Sequence, residues 1–327
     1  MSPKNKFAPE TFCILPFNSL SISSSGAIRA CCDVEELAKD AAGKEYGFKN
    51  HSPNIDEVFN SKYHKDLRLA LINGKKHSQC HRCWDVEKNG GCSNRQTWTD
   101  RFSGSIDAIM ERLGPDGSLP DPQFRHVEFT LGNLCNFKCR MCSPFNSSAW
   151  LKEFEAHKML DSDQLEPLKK IDWYKRDHFK EFTKKIFEHT EFINFIGGEP
   201  FLIKEHLDYL KYCVEKGWAA KIELKYNTNL SRIPEEAIEL WREFRCVNIS
   251  VSCDGVGDLY EYIRFPGKWE VFCSNLSRIE KLSSTIRLEL EVAVTLQVLN
   301  ATRMHELLKW IYEKTECIRT GRRLRHN

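Results

Sequence analysis

The chain has 327 residues, with 48 basic and 46 acidic side chains and a pI near 7.9. That balance excludes a global basic field for non-specific nucleic-acid binding, and the length suits one large α/β domain plus a smaller one. No apolar run approaches the roughly 18–20 residues of a membrane span, and MSPKNKFAPET at the start lacks a secretory apolar core, so a soluble, cytoplasmic protein is expected.

In chain order, residues 1–105 read as a cysteine-rich, loop-rich module containing Cys13, Cys31, Cys32, Cys80, Cys83 and Cys92. Residues 106–125, with GPDGSLPDP, read as a linker or surface loop. From 126 to 327 the chain alternates strand and helix. Strands are predicted at 126–131, 192–196, 221–227, 247–253 and 288–296, each short and rich in Val, Ile, Phe or Leu. Helices are predicted at 176–189, 203–216, 234–244, 268–282 and 301–315, with Pro234 suited to a first turn and Gly217 to a helix end. Such alternation implies parallel pairing through right-handed crossovers, here a partial barrel. No sixth strand is evident in CIRTGRRLRHN, so the barrel reads as short at its C-terminus. That basic tail and the helix YKRDHFKEFTKKIF read as solvated faces, and nucleic acid as an unlikely partner.

Fourteen cysteines are unusual for such a chain, and their clustering points to metal or redox chemistry in a reducing compartment. Cys213, Cys246, Cys253, Cys273 and Cys317 are scattered and read as small buried hydrophobes. Cys135, Cys139 and Cys142, in NLCNFKCRMCSP, fall within eight residues just after the first strand of the barrel. In parallel α/β folds, ligands bind at that strand edge. Thiolates suit iron–sulfur clusters and zinc. Three thiols can hold three corners of a cubane and leave one iron open, as catalytic zinc keeps an open position. A zinc site completed by a remote His or Cys is the alternative.

The C-x3-C-x2-C loop resembles the signature of the radical S-adenosylmethionine (SAM) enzymes, and further matches follow in order over residues 124–316. Gly197-Gly198-Glu199-Pro200 resembles the family's GGEP turn, in which the peptide groups and Glu199 hold the ammonium of SAM. YNTNLS (226–231), containing Asn229, resembles a TNG-type turn. SVSCDG (250–255) is similar to the strand end that offers Ser252 and Asp254 to the ribose. YIRFPGKWE (262–270) resembles an Arg-bearing segment in which Arg264 contacts polar groups of SAM, and VTLQVLN (294–300) a fifth strand near the adenine. Met141 stands where the family often has an aromatic, which leaves a backbone contact to adenine. The resemblance implies a [4Fe–4S] cluster on Cys135, Cys139 and Cys142 whose open iron takes SAM. It further implies reductive cleavage to a 5′-deoxyadenosyl radical that abstracts hydrogen from a substrate, and a reductase or a flavodoxin- or ferredoxin-type electron donor.

In the first segment, Cys13, Gly26 and Cys31 resemble the opening of the SPASM and twitch modules, which bind auxiliary [4Fe–4S] clusters. The module precedes the barrel here, as in twitch-type members. Six cysteines do not complete two four-thiolate clusters, so one auxiliary cluster on Cys13, Cys31, Cys80 and Cys83 is expected, with Cys32 and Cys92 as alternates. A zinc knuckle on CHRC, near His77 and His81, is the other reading of that pair. Members with auxiliary clusters often modify peptides, so the substrate expected is a peptide, a protein or another bulky molecule. The rival function is a non-catalytic iron–sulfur or zinc protein, serving electron transfer or binding on the same fold.

Overall fold

The computed structural model describes residues 10–314, which divide into two compact units. The first comprises the chain up to Glu128 together with Asp177–Thr190, and the second Phe129–Arg176 with the chain from Glu191 onward. Cys317 and the closing CIRTGRRLRHN lie outside the described residues.

The first unit is built on a short antiparallel hairpin of β1 (Ser19–Ile22) and β2 (Ile28–Arg29), with Ile22 opposite Ile28. Every residue of β1 is buried, and Ser19 Oγ meets His126 Nδ1 at 2.8 Å at the start of β3 (His126–Thr130). Helix Lys62–Ile72 buries Arg68, whose Nε donates to Pro16 O (2.8 Å) and Nη1 to Gly117 O (3.1 Å). Its guanidinium lies 4.3 Å from the Phe59 ring centroid, so a buried cation is held by carbonyls and an aromatic face rather than by a carboxylate. Two parts of this unit differ from the sequence reading. Residues Ile106–Arg112, inside the stretch read as a linker, form a helix because Ile106 and Ile109 find a core to enter. Helix Asp177–Ile186, read as the first crossover of the barrel, belongs to this unit: Phe179 and Phe182 pack on Phe48 with centroids 4.9 and 4.7 Å apart.

The second unit holds the parallel strands. β4 (Phe192–Ile196), β5 (Glu223–Thr228), β6 (Cys246–Ser252) and β7 (Leu288–Ala293) pair in that order, all parallel, and Leu131 N donates to Ile196 O at 2.8 Å where β3 leaves off. β6 is buried at five of its seven residues, Ser250 included, as a strand covered on both faces must be. Helices Glu205–Glu215, Glu235–Trp241, Trp269–Leu282 and Met304–Lys314 follow β4, β5, β6 and β7. Phe195, Phe201, Tyr226 and Trp241 form a continuous aromatic cluster, with Tyr226 5.3 Å from Phe195 and 5.7 Å from Trp241.

β7 ends at Ala293, earlier than the predicted 296. Thr295 N donates to the Asp254 carboxylate (2.7 Å), and Asn300 Nδ2 donates to Thr295 O (2.9 Å), which turns the chain away from the sheet. Leu296 and Val298 are consequently exposed rather than paired as strand residues.

His206 is buried among these aromatics, its Nδ1 donating to Ile203 O while Nε2 has no hydrogen-bond partner. Burial pushes its pKa down to about 4, so the folded state favours neutral imidazole. That contribution is complete above the unfolded value near 6.5 and is lost as pH falls through about 4. Unfolding free energies from urea titrations between pH 7 and 4 should fall, by roughly 3 kcal/mol for this group, and His206→Phe should flatten the decline. An unchanged slope in the variant refutes the assignment.

Candidate functional site

The loop after β3 is fastened before its thiols are reached. Asn133 Nδ2 donates to Pro144 O (2.9 Å) and Leu168 O (3.0 Å), closing the loop across its base. Ser147 Oγ donates to Phe137 O (2.6 Å), and Trp150 Nε1 to Cys139 O (3.2 Å). Lys138 N and Arg140 N donate to Phe265 O and Ile263 O, joining the loop to the Arg264 segment. Cys135, Cys139 and Cys142 are all half-buried, and none of the described cysteines is in a disulfide.

Gly197 and Gly198 follow β4 with φ of +92° and +37°. A Cβ on Gly198 would stand 2.1 Å from Leu134 O, and one on Gly197 2.8 Å from Gly132 O. The glycines therefore let this turn press against the backbone that leads into Cys135, a contact within the protein rather than with a ligand. Glu199 N donates to Leu134 O (2.8 Å) in the same contact. Pro200 is buried at the start of the next short turn.

Glu199 is itself buried, and its carboxylate accepts from Thr228 Oγ1 (2.7 Å), Phe201 N (3.1 Å) and Asn229 N (2.6 Å). Burial pushes it up to about 7, against the downward pull of those donors. Asn229 in turn points Nδ2 at Asn136 Oδ1 (3.0 Å) and stands 3.9 Å from Cys135 Sγ. The ends of β4 and β5 are thereby locked to the cysteine loop.

Arg264 and Asp254 close the other side. Arg264 Nη2 pairs with Asp254 Oδ2 at 2.8 Å, and Nη1 stands 4.0 Å from Cys139 Sγ. Asp254 is fully buried and also accepts from Thr295 N, so the carboxylate that the sequence offers to a ribose is an internal anchor. Ser252 ends β6 opposite Ala293 and is half-buried. Burial pushes the Cys139 thiol up to about 12 and raises Cys135 and Cys142, while the Arg264 guanidinium pulls Cys139 and Cys142 back down. Thiols in such surroundings become thiolates when a metal takes the proton's place, and the three soft donors of one loop fit an iron–sulfur cluster. Arg264 Nε is buried without a hydrogen-bond partner, a donor that fits an anionic group of SAM.

In the first unit, Cys13 lies within electrostatic range of Cys31, Cys80 and Cys83, which also interact among themselves. The largest charged neighbours of Cys32 are instead Glu128 and Cys31. Cys92 is exposed, 3.5 Å from Thr97 Oγ1. His77 Nδ1 accepts from Gln79 N (3.3 Å) and His81 Nδ1 meets Ser78 O (3.3 Å), so both histidines serve local turns. Among the described residues no three His, Cys, Asp or Glu side chains converge closely enough to hold a single metal ion.

Sequence reasoning passed over Asn133, Asn136 and Thr228. Their signal was available: polar residues flanking the cysteines, and at the end of an otherwise apolar strand.

Family models agree with the superfamily and module that the sequence resembles. The family model of the radical SAM superfamily matches residues 129–290, and that of the SPASM iron–sulfur cluster-binding domain matches residues 13–84. No curated protein matches the chain. Among solved structures, anSMEcpe with bound AdoMet and Cp18Cys peptide is 18% identical, covering 57% of this chain and 47% of its own, with a TM-score of 0.40. Streptococcus suis SuiB bound to S-adenosylmethionine is 12% identical, covering 79% and 50%, with a TM-score of 0.38. SuiB bound to precursor peptide SuiA is 11% identical, covering 90% and 61%, with a TM-score of 0.37. The chain thus spans about half to three-fifths of the length of these proteins.

Gly198→Ala must displace the backbone before Cys135, at a cost of roughly 1–3 kcal/mol. After reconstitution this variant should hold clearly less iron than wild type, whereas Gly104→Ala, with nothing within 4 Å of the added Cβ, should match it. Equal iron in all three proteins contradicts the role given to this close approach.

Proposed function

The chain belongs to the radical SAM superfamily and carries a SPASM iron–sulfur module on its N-terminal side, and from that premise we propose that it modifies a peptide or protein by hydrogen abstraction. Its cofactors are a [4Fe–4S] cluster and SAM, with auxiliary iron–sulfur binding in the SPASM module. The observation that carries the reading is that the three-thiol loop, the Gly197–Glu199 turn and Arg264 are joined at the C-terminal ends of β3, β4 and β6. An electron carrier has no use for the last two.

Cys135, Cys139 and Cys142 would hold the cluster and leave its fourth iron to the amino and carboxylate groups of SAM. Together the cluster and SAM, when bound, supply the reductive cleavage that generates a 5′-deoxyadenosyl radical. The protein's residues orient and neutralise. Arg264, held by Asp254, presents its free Nε to an anion and its charge to Cys139. Peptide carbonyls of the Gly197-Gly198 turn, with the Glu199 lone pair that Asn229 leaves open, would accept hydrogen bonds from the amino group of SAM. Asp254 acts through Arg264, which leaves Ser252 as the ribose contact. Cys13, Cys31, Cys80 and Cys83 would hold the auxiliary cluster. The SPASM module supports a peptide or protein substrate, since members with such modules often act on peptides. A flavodoxin- or ferredoxin-type donor in the cytoplasm would supply the electron. No helix among the described residues is long and apolar enough to cross a membrane.

Anaerobically reconstituted protein given a reductant and SAM should release 5′-deoxyadenosine. Serine at Cys135, Cys139 and Cys142 together should abolish the release, and a triple variant that still cleaves SAM sinks the reading. Iron analysis separates the two clusters. Wild type should hold about eight irons, and the Cys80→Ser/Cys83→Ser variant about four. Four in both proteins rules out the auxiliary cluster.

A further inference from the structure

We infer that Asp33 is a positioning residue for the auxiliary site, a fixed negative charge held against Cys83 that lowers the reduction potential of the cluster bound there. The inference rests on the assignment of Cys13, Cys31, Cys80 and Cys83 to that cluster.

Asp33 follows Cys31 by two residues, in CCDVEE. Its Oδ2 lies 3.8 Å from Cys83 Sγ, although the two are fifty residues apart in the chain. The carboxylate is aimed there by Asn94, whose Nδ2 donates to the same Oδ2 at 2.9 Å. Asn94 opens the helix Asn94–Arg101, which Ser93 and Gln96 cap reciprocally, so the donor that orients Asp33 stands on a fixed element.

Nearby cations oppose this charge, Arg95 at Cys80 more strongly than Asp33 itself, and Arg29 at Cys32. Arg95 spans the Glu87 carboxylate with two hydrogen bonds, of 2.9 and 2.7 Å, and Arg82 pairs with Glu35 at 2.8 Å. Both arginines are also held by carboxylates of their own, and Asp33 stands against Cys83 with the Asn94 amide as its donor. Ser93 and the Arg95 N–H direct partial positive charge toward Cys83, which favours the reduced cluster. The Arg95 N–H acts on Cys83 more strongly than the Asp33 carboxylate, so removing the Asp33 charge shifts a balance between the two. Iron–sulfur potentials follow net charge and hydrogen bonds to sulfur, and a carboxylate beside a thiolate disfavours adding an electron.

The test is a redox titration followed by EPR, at one pH, on the full chain with serine at Cys135, Cys139 and Cys142 so that only the auxiliary signal remains. In that background Asp33→Asn should raise the reduced-to-oxidised ratio at a fixed poise on the order of tenfold, and Asp33→Glu should stay near the parent. Equal ratios for parent and Asp33→Asn overturn the inference. Should Asp33→Asn not load iron, Asp33→Ser, neutral and smaller, is read in its place. If neither neutral variant loads, Asp33 holds the site together rather than tuning it, and the inference fails. If the parent background itself contains no iron, the auxiliary-cluster assignment fails, a result distinct from the other two.

Discussion

The carboxylate of Glu199 is buried at the ends of two strands, where it accepts hydrogen bonds from Thr228, Asn229 and Phe201. The turn that carries it lies so close to Gly132 and Leu134 that neither Gly197 nor Gly198 has room for a side chain. The position of Cys135 depends on both contacts. The turn presses on the backbone entering the cysteine loop, and the same carboxylate fixes Asn229, which reaches across to Asn136 and the Cys135 sulfur. A site of this kind must hold its ligands before a cofactor arrives, and the supporting hydrogen bonds provide that order.

Electrostatics is arranged around the same loop with opposite sign at each edge. Glu199 approaches Cys135, and Arg264 approaches Cys139 with Asp254 behind it. The thiols are half-buried, and desolvation disfavours free thiolates. A bound metal reverses that preference, so the loop is suited to hold a cluster rather than to act as a free nucleophile. In the first unit the arrangement is different: a carboxylate, Asp33, stands 3.8 Å from Cys83 Sγ and is oriented by Asn94.

Much of the second unit was legible in the sequence because short runs of Val, Ile and Phe alternate with amphipathic segments, and the strands fall within a few residues of their predicted positions. The eight-residue spacing of Cys135–Cys142 marked the site for the same local reason. Long-range matters were not legible. The amphipathic pattern of Asp177–Ile186 announces a buried face but not that Phe48 covers it. Asp254-Gly255 reads as a turn or a ligand contact, and nothing local says that Arg264 and Thr295 take up its carboxylate. Gly-Gly reads as room for a ligand until Leu134 is seen to fill it. The grouping of Cys13, Cys31, Cys80 and Cys83 spans seventy residues and was approached only through family resemblance.

The central claim is that the three-thiol loop holds a cluster whose open iron binds SAM. Electron–nuclear double resonance on the reduced, reconstituted protein, with SAM labelled with ¹⁵N at its amino group, addresses it directly. The account predicts a strong ¹⁵N coupling to the cluster and a changed EPR spectrum on adding SAM. A four-iron signal on this loop that SAM leaves unchanged, with no ¹⁵N coupling, would contradict it.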